Sequence, residues 1–106
     1  MNNAQYKSDA MELICDTAEV RIAEITLAAH AQTPEHVHTH APEICYCLSG
    51  ELTVEHVGPQ PMILRPGDKK RFEAGSAHQL VNRSGQPCRF LLIHAGGAFD
   101  FVPKGA

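Results

Sequence analysis

Short apolar runs, each closed by a turn signal, follow one another along this chain, and no stretch sustains the long 3.6-residue period of an amphipathic helix. The runs are "MELICD", "VRIAEITLAA", "EICYCL", "ELTVEHV", "PMILR", "KKRFE", "HQLVN" and "CRFLLIHA", most of them rich in Val, Ile, Leu, Phe, Tyr or Thr. Between them, Ser49-Gly50 makes a tight connection, "HVGPQP" a longer loop and "NRSGQP" a hairpin closure. Pro66-Gly67 suits the two central positions of a type II turn. Only "AEVRIAEITLAAHA" has the Ala and Glu content to pull toward helix. About eight short strands in one domain predict an all-β sandwich or closed barrel, the two arrangements that deal with exposed sheet edges.

At 106 residues there is room for one domain. The rhythm places a barrel over 11–96, with a flexible segment at 1–10 and a tail at 97–106. In that tail, "GGAFDFVPKGA" has Phe99 and Phe101 at alternate positions, so two rings should lie on a neighbouring surface, which a dimer partner could supply. A net charge of −3 and a pI near 6.1 offer no footprint for nucleic acid or an anionic membrane. The polar amino terminus and the lack of a run approaching ~20 apolar residues predict a cytoplasmic protein without a membrane span. In that compartment Cys15, Cys45, Cys47 and Cys88 should be free thiols.

Seven histidines are many for this length, and His36, His38 and His40 crowd into "TPEHVHTHAPEI". Residues two apart in a strand point the same way, ~6.6 Å apart, so a His-x-His pair can close on one ion. Spacing alone does not distinguish His36 with His38 from His38 with His40. Pro42 cannot donate to a sheet ladder, so "HAP" should leave one strand and Glu43 open the next, bringing a carboxylate back toward the pair. Further on, "GDKKRFEAGSAHQLVN" places His78 at the start of a strand, after two Gly-containing turns.

Together these stretches resemble the two motifs of the cupin superfamily, G-x5-H-x-H-x3,4-E-x6-G and G-x5-P-x-G-x2-H-x3-N. His36, His38, Glu43 and Gly50 match the first, and Gly67, Gly75, His78 and Asn82 the second. The short gap from Gly50 to Gly67 is like that of compact bacterial cupins. Two positions depart: the leading glycine of the first motif falls at His30, and the proline of the second at Glu73. The resemblance implies a double-stranded β-helix, or jelly-roll barrel, with a metal held inside by His36, His38, Glu43 and His78. It also implies a homodimer.

Such a set of imidazoles and one carboxylate suits one divalent transition metal (Mn, Fe, Ni, Co, Cu or Zn) and leaves open positions for a small-molecule ligand. Candidates for moving a proton beside it are His40, Tyr46, His94 and Glu73. Lys69 and Arg71 share a strand face and are candidates to attract an acidic substrate. Cys45 and Cys47 share parity with Glu43 and should fill the barrel as small apolar side chains. The expected function is a metal-dependent enzyme of the dioxygenase or isomerase type acting on a small polar or acidic molecule. The alternative is a non-catalytic module binding a small molecule or metal.

Overall fold

The structure is a computed structural model and describes residues 10–104; the expected flexible segment lies almost wholly outside the described residues. It is built of strands, and among the described residues no helix is long and apolar enough to cross a membrane. The eight expected strands are all present: β1 (Ala10–Asp16), β2 (Val20–Leu27), β4 (Glu43–Ser49), β5 (Leu52–Glu55), β6 (Met62–Leu64), β7 (Lys69–Phe72), β8 (Gln79–Val81) and β9 (Cys88–Ala95). Two very short ones join them, β3 (His36–Val37) and β10 (Val102–Pro103). The stretch with helical leanings is β2: its residues alternate in burial and it pairs along its whole length with β9.

One sheet has the order β1-β2-β9-β4-β7, and a smaller one has the order β6-β5-β8. Bridges Gln32↔Val81 and His36↔His78 carry the smaller sheet onward to the β3–β10 pair. The two layers face each other over Ile25, Leu27, Phe90, Leu52, Val54 and Leu80, all essentially buried. Burial of apolar surface at ~25 cal/mol per Å² is what holds them together. Cys45, Cys47 and Cys88 lie in this core as free thiols.

The turns follow the motif glycines. Asp68 N–H donates to the Arg65 carbonyl at 2.8 Å across Pro66-Gly67, with Gly67 at φ 93°, as a type II turn requires. A Cβ on Gly50 would sit 2.9 Å from Cys88 Cβ and from the Pro87 carbonyl oxygen, so only glycine fits there. His30, standing where the family motif has glycine, adopts the same left-handed backbone at φ 64°. The departure is thus in the side chain and not in the fold.

Candidate metal centre

Strands β4 and β9 of the larger sheet turn polar at one end of their inward faces. On β4 the inward residues are Glu43, Cys45 and Cys47; β9 brings His94 directly across from Glu43, and β7 brings Phe72 to its other side. From the smaller layer, His36 and His78 form an antiparallel bridge, exchanging N–H···O bonds of 2.9 and 3.0 Å. Gly75 N–H donates to the His38 carbonyl at 2.8 Å, so the turn before His78 is pinned to the segment carrying the histidine pair. The two motifs therefore meet backbone to backbone at their histidines.

His36, His38, Glu43 and His78 each offer one ligand atom, and these atoms lie within 4.8 Å of one another, all in buried side chains. Two donors on opposite sides of an ion bound at about 2.1 Å stand about 4.2 Å apart, so the cluster is near the size an ion needs. The Nδ1–H of His36 donates to the Pro34 carbonyl at 2.8 Å, that of His78 to the Ser76 carbonyl at 3.1 Å, and that of His38 to the Asp100 carbonyl. Every Nε2 is thereby turned inward. Yet His78 Nε2 then faces Glu43 Oε1 at 2.9 Å and His38 Nε2 faces Oε2 at 3.3 Å, both carboxylate acceptors. A ring with an acceptor on each side must carry both protons or share a cation with the carboxylate.

His94 Nε2 is 2.8 Å from Glu43 Oε2. Neither this contact nor that of His38 has hydrogen-bond alignment: His38 Nε2, Glu43 Oε2 and both ring nitrogens of His94 are buried without a hydrogen-bond partner among the described residues. Orphaned polar atoms inside a barrel are costly, and a cation ligated by His38 Nε2 and Glu43 Oε2 would remove that cost for those two. The donor set fits a divalent transition metal on this ground. Burial pushes Glu43 up, but the surrounding His38, His78 and His94 rings outweigh it and hold the carboxyl well below its ordinary value. Burial also lowers His36 to about 4, whereas for His38 the close negative charge of Glu43 and the Asp100 carbonyl at its Nδ1 override burial and raise it.

Of the four candidates for proton transfer, only His94 enters the cluster. His40 is exposed at the rim, 3.9 Å from an Asp100 carboxylate oxygen. Tyr46 lies on the outer face of β4 beneath the Lys69 ammonium, 5.7 Å from its ring centre. Glu73 is exposed and pairs with Arg71 at 2.7 Å. Lys69 and Arg71 do share a face, but it is the outer one: they sit opposite Tyr46 and Ile44, while Phe72 takes the inner face and stacks on His78 with centroids 3.9 Å apart. Apolar Phe72 claims the interior, and the cations follow the opposite parity into solvent.

Two features of the site lie outside both motifs. Arg21 has the inward parity of Ala23, Ile25 and Leu27, pairs in register with His94, and lays its guanidinium 4.0 Å from the centre of the Phe99 ring. No carboxylate is paired with it among the described residues. The aromatic tail does settle on a neighbouring surface, but that surface is the cluster: Phe101 stacks on His36 at 4.2 Å, and Phe99 lies 4.9 Å from His94 and 5.6 Å from His38. The inward parity of Arg21 was a legible signal; nothing in the sequence says where the tail lands.

The family model for the cupin domain matches residues 23–94. No curated protein sequence matches significantly. Among solved structures, the chain is similar to a double-stranded β-helix protein from Klebsiella pneumoniae, with 20% identity over 98% of this chain and 90% of that one at a TM-score of 0.77. It is similar to an oxalate oxidase, with 22% identity over 84% of this chain and 48% of that one at a TM-score of 0.74. It is also similar to a sugar phosphate isomerase from Silicibacter pomeroyi, with 22% identity over 81% of this chain and 68% of that one at a TM-score of 0.68. At these identities the likeness is one of fold.

Proposed function

The chain belongs to the cupin-domain family, and we propose that it is a metal-dependent enzyme of the dioxygenase or isomerase type acting on a small acidic molecule within the barrel. The observation that carries this is the buried group of His36, His38, Glu43 and His78, with polar atoms beside it that have no hydrogen-bond partner. One divalent transition ion (Mn, Fe, Ni, Co, Cu or Zn) held there would supply a Lewis acid for a carbonyl or enol oxygen. His94 is the group placed to accept or return a proton, through the Nε2 that lies 2.8 Å from Glu43. Arg21 replaces Lys69 and Arg71 as the cation for an acidic ligand: it stands on the inner face and lacks a carboxylate partner among the described residues. Phe72, Phe99 and Phe101 surround the histidines with apolar surface that keeps water from them.

A homodimer and a cytoplasmic location complete the proposal. The edge strand β1 exposes Met11, Leu13 and Ile14, which favours pairing with a second copy, and four free thiols suit a reducing compartment. The test is to load tag-free protein with each metal and follow oxygen uptake and proton exchange into a panel of small hydroxy and keto acids. Metal-dependent turnover that His94→Gln lowers by about 100-fold supports the enzyme. Saturable binding of such acids with no turnover under any metal favours the non-catalytic module instead.

A further inference from the structure

The three histidines of the cluster are aimed by different means. His36 and His78 take a carbonyl two residues upstream in their own chain segment, Pro34 and Ser76. These contacts form wherever the local backbone forms. His38 has no such local acceptor: its Nδ1–H is taken by the carbonyl of Asp100, 62 residues away. A histidine whose second nitrogen is unengaged can rotate and choose either tautomer, so the aim of His38 depends on where the tail lies.

The tail is fastened there at several points. The Asp100 carboxylate accepts the Thr39 N–H at 2.7 Å and also the Thr39 hydroxyl. Upstream, Gly97 passes so close to the chain that an added Cβ would stand 2.1 Å from the His40 carbonyl oxygen. Downstream, Val102 and Pro103 pair with Val37 and His36, and Lys104 N–H donates to the Glu35 carbonyl at 2.8 Å. The carboxylate thus grips the residue next to His38 while the carbonyl of the same residue orients the His38 ring.

We propose that Asp100 is a positioning residue of the metal centre, fixing the His38 ring through its own carbonyl while its carboxylate locks the tail onto Thr39. This rests on the metal reading given above. Because a docked tail favours the ligating orientation of His38, metal binding must in turn favour the docked tail.

Zn(II) affinity of the full chain, measured by competition with a chromophoric chelator, tests this against three variants. Asp100→Ala should weaken binding about 10- to 100-fold, the usual cost of losing a group that orients a metal-bound histidine. Gly97→Ala should do the same by pushing the tail off. Asp100→Asn keeps an acceptor for the Thr39 N–H and should retain most of the affinity, which a purely electrostatic effect of the carboxylate would not allow. In the wild type, Zn(II) should slow amide exchange at residues 102 and 104. Undiminished affinity in both Asp100→Ala and Gly97→Ala, or equal losses in Asp100→Asn and Asp100→Ala, overturns the positioning role while leaving the metal centre standing. A wild-type chain that takes up no Zn(II) overturns the metal reading and this role with it.

Discussion

Along β4 the inward residues run Glu43, Cys45, Cys47; along antiparallel β9 they run His94, Leu92, Phe90, Cys88; along β2, Arg21, Ala23, Ile25, Leu27. The same three strands, in one register, build an apolar core at one end of the barrel and a charged cluster at the other. What holds the two ends differs. The apolar end is non-directional and close-packed, so it is sensitive to volume. At the other end a buried carboxylate is tolerated only because three imidazoles converge on it, so that end is sensitive to chemistry and alignment. A small domain can afford such a cluster when its remaining core is dense enough to specify the strands on its own.

The sharpest way to break this comparison is to damage the core alone. Phe90→Ala should cost about 3–5 kcal/mol in chemical denaturation, since Phe90 is completely buried, yet leave the metal affinity of the folded protein unchanged. If affinity falls in step with stability, the two ends are one cooperative unit.

Alkaline pH probes the core without mutation. Burial raises the thiols of Cys45 and Cys47, and raises Cys88 to about 11 from an ordinary 9.0. The folded state then keeps protons that the unfolded chain releases. The contribution is present below pH 9 and is lost as pH rises from 9 toward 11. Melting temperature should fall across that window, and replacing Cys88 with Ala should flatten the fall.

The smallest expected effect is at the entrance to the first motif. His30 is exposed and holds a left-handed backbone, so His30→Gly should relieve strain offset by glycine's larger unfolded entropy, raising stability by about 1 kcal/mol or less. A loss of stability would mean that the His30 side chain contributes a contact.

The fold was legible because its determinants are local. Alternating burial, Pro66-Gly67 and the motif glycines each act within a few residues, and a departure such as Glu73 is absorbed by the Gly75 turn, where φ is 84°. The convergence of His36, His38, Glu43 and His78 was legible through motif spacing. The face presented by Lys69 and Arg71 was not fixed by parity alone, which says only that they agree with each other; Phe72 decides which side is inward. His94 was recognisable only as a histidine late in a strand, although its parity with Leu92, Phe90 and Cys88 aims it inward. The Asp100 carbonyl at His38 was beyond reach, since it joins residues 62 apart through a backbone atom that every residue possesses.

The most direct measurement is metal content and affinity in tag-free protein and a set of alanine variants. One divalent transition ion per chain is expected, with His36→Ala, His38→Ala and His78→Ala each weakening it by more than about 100-fold and His40→Ala by no more than about two-fold. A chain without a stoichiometric ion, or a loss in His40→Ala equal to that in His38→Ala, would contradict the assignment of the cluster as a metal centre.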